Sequence, residues 1–247
     1  MNEMIEQLKR HRSIRKYKPD PLAEEQLRSI VESAQAASTS SNLQAYSVVA
    51  VTDRGTKAAL SRLAADQAYI AECPVFLVWC ADLNRLLIAA SAASEGEARI
   101  PATTEMFILA TVDAALAAQN AAIAAESLGL GIVFIGGIRD DPDGVSRLLG
   151  LPKYVYPVFG MCVGYPDQEP DLRPRLPLET VLHRERYSSD SFAAGIERYD
   201  GELRRFMLTR AGGKRDTTWS KEMAQRLAIR KRDHMRTFLR EKGFDLE

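Results

Sequence analysis

The stretch that most constrains the fold runs from Thr103 to Leu128. It is apolar, rich in alanine, and long enough to be the longest helix of the chain. Alanine combines high helix propensity with a very small side chain, so such a helix packs closely against its neighbours. Asp113, Gln119 and Asn120 interrupt the apolar run, which predicts a buried core helix and not a membrane span. Thr103 or Thr104 is the candidate N-cap, and Gly129-Leu130-Gly131 the candidate stop.

The other periodicities supply the surroundings. Valine-rich Tyr46–Thr52 predicts a strand, and the apolar run Val75–Ala81 predicts one buried on both faces. Ile132–Ile135 and Val158–Val163 predict two more. Met4–Lys9 predicts a short helix, and Leu27, Ile30, Val31 and Ala34 recur at helical spacing. Further helices are expected over Thr56–Asp66 and from Asp141-Pro142 to Leu149. Residues 82–101, with Glu95-Gly96-Glu97, are the least regular part and predict a loop or a mobile helical excursion, of a length common in lids. Pro166–Pro177 excludes regular helix and inner strand. From Ser189 two helical segments are expected, around Ile196–Leu208 and Trp219–Leu239, joined by the basic linker Arg210–Arg215. Such an arm, about 178–247, is a way to embrace a second subunit.

Composition narrows the function classes. The 247 residues suit one large domain, and 46% hydrophobic content argues against disorder. A formal net charge of zero gives no global pull toward nucleic acid. The acidic start, Met1-Asn2-Glu3-Met4-Ile5-Glu6, is unlike a signal peptide. Cys73, Cys80 and Cys162 form no C-x-x-C pair and read as buried structural thiols. A soluble cytoplasmic protein, with no membrane and no nucleic-acid partner, is the expectation.

The usual catalytic sets are weak. His11, His183 and His234 lie far apart without metal-ligand spacing, so no metal site is expected. No G-x-S-x-G or P-loop pattern occurs, and the glycines at 129, 131, 136 and 137 do not form a dinucleotide fingerprint. What remains is a set of anion-binding and amide groups without a catalytic side chain. It comprises His11-Arg12-Ser13-Ile14-Arg15, the hydroxyl run Ser38–Ser41, Gln67, Gly136-Gly137, and Arg173 with Arg175. Guanidiniums match phosphate oxygens in planar fork geometry. Glycine permits close backbone approach. Together the groups suit a bound organic cofactor that carries the hard chemistry itself, such as flavin mononucleotide. Taken singly each stays open to a plainer reading: a solvated basic turn, a turn after a strand, a surface glutamine.

Several of these stretches in order resemble the nitroreductase superfamily. They are His11–Arg15, Ala36–Ser41, Gln67-x-Tyr69, Ala125-Glu126-Ser127-Leu128-Gly129-Leu130-Gly131, Phe134-Ile135-Gly136-Gly137-Ile138-Arg139, and Arg173-Pro174-Arg175-Leu176-Pro177. Lys214-Arg215-Asp216 and Trp219-Ser220 extend the match almost to the end. The chain is most similar to the group of oxygen-insensitive NADPH nitroreductases and NADPH-FMN reductases, and its tail to flavin-reductase-like members of Gram-positive bacteria. The resemblance implies an α+β fold with a central, mainly antiparallel sheet flanked by helices, and a homodimer with FMN at the interface. It places His11, Arg12, Ser13 and Arg15 along the FMN, Ser13 near the phosphate with Arg173 and Arg175, and Arg15 near the pyrimidine end. Thr39 and Ser40 would flank the cofactor, from the partner subunit in one version. Gln67 and Tyr69 would meet the pyrimidine edge, and Ile135, Gly136 and Gly137 would set backbone N–H groups near N5 and O4. Arg173 stands where the common motif has lysine. NADPH, or NADH, would meet Arg15, Arg210, Lys214 and Arg215. The implied activity is ping-pong hydride transfer through flavin N5 to a small-molecule acceptor: free flavin, a nitroaromatic or a quinone. The alternative is a flavin reductase that supplies reduced FMN to a partner monooxygenase.

Overall fold

A computed structural model of the chain describes residues 2–94, 98–100, 103–210, 215–229 and 231–244. Glu95-Gly96-Glu97, Pro101 and Lys214, named above, lie outside the described residues. The chain divides into two compact units, residues 1–170 with 232–247, and residues 171–231.

The first unit is built on a four-stranded sheet in the order β1-β2-β4-β3, with β1 Tyr46–Val51, β2 Val75–Asp82, β3 Gly131–Ile135 and β4 Val155–Gly164. All three pairings are antiparallel. Strand β2 is buried along its whole length, as its unbroken apolar run predicts. Its alternating side chains serve two cores. Val75, Leu77, Trp79 and Ala81 face one, with α2 (Glu24–Gln35) and α6 (Thr104–Ser127). Phe76, Val78 and Cys80 face the other, with α3 (Arg54–Leu63), α4 (Ala68–Glu72) and α7 (Pro142–Leu149). Helices on both faces of an antiparallel sheet make this an α+β fold.

Helix α6 carries the first core on a run of alanines buried from Ala110 to Ala125. Thr103 caps it by accepting from the Met106 N–H at 3.3 Å. It ends in a Schellman turn: Leu130 N–H donates to Ala125 O at 3.0 Å, and Gly129 adopts φ +75°. Asp141 caps α7 through the Gly144 N–H at 2.7 Å.

Several elements differ from the sequence reading. Strand β4 begins at Val155 and not Val158. Pro157 is tolerated there because the register shifts beside it, opposite Trp79 and Cys80. Within the irregular 82–101 region, the helical one of the two expected alternatives is present: Asn84–Ala93 forms helix α5, with none of its residues buried. Gln67-Ala68-Tyr69 leads into the short α4. The last expected helix is two, α9 (Trp219–Leu227) in the second unit and α10 (Met235–Glu241) in the first, with a non-glycine residue, Arg232, at φ +59° between them. Phe238, Leu239 and Phe244 are buried in the first core. The second unit holds α8 (Phe192–Arg210) and α9. Within it Tyr199 is buried, stacks edge-on against Trp219, and donates to Pro174 O at 3.1 Å.

Candidate functional site

The opening cluster is extended chain laid on the β3 edge of the sheet. Ser13 forms a parallel bridge to Ile132, and Ile14 N–H donates to Ile132 O at 2.8 Å. Gly131 makes this approach possible: a Cβ there would stand 2.5 Å from the Ile14 side chain. The second glycine of the helix-stop motif therefore serves the cluster and not the stop. Tyr17 closes the segment by donating to Ile14 O at 2.6 Å. Burial pushes the Tyr17 hydroxyl far above its ordinary value, with the Cys162 and Cys73 thiols adding to the shift.

Each polar side chain of the cluster has its own setting. His11 Nδ1 lies 2.5 Å from Glu126 Oε1, at the end of α6. Arg12 pairs with Glu169 at 3.0 Å, and Glu169 is 87% exposed. Arg12 and Ile14 line an open cavity of about 980 Å³, together with Gln7, Glu126, Gly131 and Asp167. Arg15 is exposed and makes no hydrogen bond or ion pair among the described residues.

The other end of β3 carries Ile135, Gly136 and Gly137. Ile135 is buried, and the chain turns from it into a 3-10 segment, Gly136–Arg139. N–H groups in the first turn of such a segment have no partner inside it. Ser13 faces Ile132, so the cluster and this turn lie about 13 Å apart along one strand. Gln67 is folded onto Gly137, where a Cβ would be 2.1 Å from Gln67 Nε2. The Gln67 amide donates to Ala64 O at 2.6 Å and accepts from the Tyr69 hydroxyl. Ala65 and Asp66, both at positive φ, swing the chain round so that Gln67 reaches this place. The structure thus joins Gln67, Tyr69 and Gly137. On β3 itself Phe134 is 37% exposed and packs edge-on against Phe159. Arg139 donates to Val158 O at the β4 irregularity, and burial lowers its guanidinium from the ordinary value.

Thr39 and Ser40 stand on a different support. Ser40 N–H and Ala45 N–H donate to the two carboxylate oxygens of Asp113 at 2.9 and 3.0 Å. Asp113 is fully buried in the middle of α6. Sequence reading used this aspartate only to exclude a membrane span. Its partners are backbone groups 73 and 68 residues away, which no local motif announces.

In the second unit the expected cofactor-binding arginines separate into two groups. Arg173 and Arg215 converge on Glu222, at 4.0 and 2.9 Å, and the Glu222 side chain is only 9% exposed. Arg175 and Arg210 are exposed and make no hydrogen bond or ion pair among the described residues. Glu222 and Glu126 were both missed as functional candidates, although Glu126 lies inside a recognised motif.

These residues fit an anionic aromatic cofactor. In the first unit, the unpaired Arg15 guanidinium, a cluster held on a strand edge and a glycine turn that lets backbone come close are donor types that a flavin phosphate and ring edge require. The comparisons with known proteins agree. Residues 8–165 match the model described as Nitroreductase family, and residues 173–247 match Nitroreductase family, C-terminal domain. The chain is 42% identical to an FMN reductase (NADPH) of Bacillus subtilis, across 99% of both chains. It is 41% identical to an oxygen-insensitive NADPH nitroreductase of Salmonella typhimurium, again across 99% of both. The solved structure of B. megaterium NfrA1 superposes with a TM-score of 0.94 at 44% identity, covering 98% of this chain and 99% of that one. With both family models matched in sequence order over nearly all of its length, the chain belongs to the nitroreductase family.

Proposed function

We propose that the chain is an FMN-dependent NAD(P)H oxidoreductase that reduces free flavin, nitroaromatics or quinones. The observation that carries this reading is the β3 edge, which holds the His11–Arg15 cluster at one end and the Gln67–Gly137 contact at the other. The names of the relatives, an FMN reductase and an NADPH nitroreductase, support it. When bound, FMN supplies a carrier that takes a hydride equivalent from the nicotinamide and gives up its electrons to the acceptor. The chain's own part is binding and positioning. Arg12, Ser13 and Arg15, with His11 oriented by Glu126, grip the cofactor. Arg173 and Arg175 add phosphate contacts. Gln67, Tyr69 and the backbone of Ile135, Gly136 and Gly137 hold the ring edge. No side chain is given the role of proton donor. Arg210 and Lys214 bind the nicotinamide nucleotide, with Arg15 beside it and Arg215 anchored to Glu222.

The working form is a homodimer in the cytoplasm. Ile108, Val112 and Leu116 form a stripe along α6 and are 49, 48 and 44% exposed. On a helix whose opposite side forms the core, that stripe suits a second copy of the chain. Spacing along α6 points the same way. His11 is fixed at Glu126 and Ser40 at Asp113, thirteen positions earlier on α6, or about 20 Å along the axis. A second copy brings the Thr39–Ser40 turn to a cofactor that its own chain's cluster does not share.

The test is steady-state kinetics with NADPH against free FMN, a nitrofuran and a quinone. Parallel double-reciprocal lines and turnover of all three support the proposal. Intersecting lines with turnover of FMN alone favour a reductase that delivers reduced FMN to a monooxygenase. Absence of NADPH oxidation with every acceptor overturns both.

A further inference from the structure

We propose that Asp113 is a positioning residue of the cofactor site, acting through the Thr39–Ala45 turn. The inference rests on the FMN reading above and assigns that site a residue with no contact to the cofactor. The turn is unusual backbone. Ser41, Asn42 and Gln44 have φ of +46°, +56° and +53°, a region costly for residues with a side chain. Three such residues within four positions persist only when the surroundings hold them. Asp113 does so at both ends: Oδ1 takes the Ser40 N–H at 2.9 Å and Oδ2 takes the Ala45 N–H at 3.0 Å. One carboxylate thus closes the turn like a clasp. Within it Thr39 Oγ1 accepts from Gln44 N–H at 3.3 Å, so the Thr39 side chain and the Ser40 backbone are held at the entry to the turn.

A carboxylate is the side chain this position requires. Both partners are N–H donors, and an ionised aspartate is an acceptor on both oxygens. Asparagine has nearly the same shape but turns an NH2 toward one of the two N–H groups, so one end of the clasp opens. Asp113 is fully buried, and water has no ready route to replace the lost acceptor.

The experiment compares FMN dissociation constants, by flavin fluorescence, for full-length wild type, D113N, S40A and the double variant, with folding checked by thermal melting. Loss of a charge-assisted contact predicts an FMN constant raised about tenfold or more in D113N. If Asp113 acts through the turn, D113N and S40A are non-additive, because S40A removes a contact that D113N has already misplaced. A folded D113N with wild-type FMN affinity overturns the inference, and so do additive effects. If wild type itself binds no FMN, the functional reading fails. If wild type and S40A behave as expected but D113N does not, only the role of Asp113 fails. Should D113N not fold, hydrogen exchange on the wild-type protein decides. Slower exchange across 39–45 with FMN than without supports the clasp, and exchange indifferent to FMN overturns it.

Discussion

Replacing Gly137 by alanine tests the link between the glycine turn and Gln67. The Gly137 backbone is not in the left-handed region, so the cost is one of space. The new methyl carbon would stand 2.1 Å from Gln67 Nε2 and 2.9 Å from Ala64 O. The glutamine must leave, and with it go its bonds to Ala64 O and the Tyr69 hydroxyl. At about 1 kcal/mol per hydrogen bond, plus about 1–3 kcal/mol for overpacking a filled site, the cost is about 3–5 kcal/mol. For a chain of this size that lowers the melting temperature by roughly 10 °C. FMN affinity should fall as well, since Gln67 and Tyr69 lose their geometry. The assay is a thermal melt with an FMN titration on wild type, G137A, Q67A and the double variant. Truncating Gln67 clears most of the space, so the double variant should cost less than the two single effects together. Gly150 is the control. Its φ is +65° with nothing within 4 Å of a built Cβ, so G150A should cost only about 1 kcal/mol of backbone strain and leave FMN affinity alone. Wild-type stability and FMN affinity in G137A would refute the packing argument.

Three further predictions follow from the same geometry. R15A should raise the FMN dissociation constant about 10–100-fold, the worth of one charge-assisted contact, and slow reduction by NADPH; unchanged flavin content and rate would remove Arg15 from the site. D141A should lower stability by about 1 kcal/mol, because the carboxylate caps α7 through Gly144 N–H at 2.7 Å, and an unchanged urea midpoint would refute the cap. Burial holds both the Cys80 thiol and the Tyr156 hydroxyl up to about 12, against ordinary values of 9.0 and 10.0. The unfolded chain therefore ionises these groups first. Their contribution is complete below pH 9 and is lost as pH rises toward 12. A urea midpoint that stays flat across that range would contradict the assignment.

Much of the framework was legible because its signals are local. Thr103 and Asp141 cap the helices they precede, Gly129 stops α6, and the unbroken apolar run of β2 announces a strand buried on both faces. The misses share a cause: the deciding partner is remote or there is no burial pattern to read. Helix α5 is one of the two readings expected for 82–101, and since it buries nothing no pattern could decide between them. Strand β4 extends back past Pro157 through a pairing irregularity with β2 that no local pattern announces. Between α9 and α10 Arg232 takes φ +59°, in a residue type that does not advertise positive φ. Within the site, the basic cluster and Gly136-Gly137 were visible as residue types. Their supports were not. Glu126, Asp113 and Glu222 act on groups at least tens of positions away or gathered from different segments. Gly131 looked like part of a helix stop, and its use became clear only when Ile14 was seen against it.

On this reading the chain binds FMN and reduces it with a nicotinamide nucleotide. Its most direct test is the visible spectrum of the purified protein, reconstituted with FMN and titrated anaerobically with NADPH. Flavin absorption should stay with the protein through gel filtration and bleach on addition of NADPH. A protein that retains no added FMN, or whose bound flavin does not bleach with either NADPH or NADH, would contradict it.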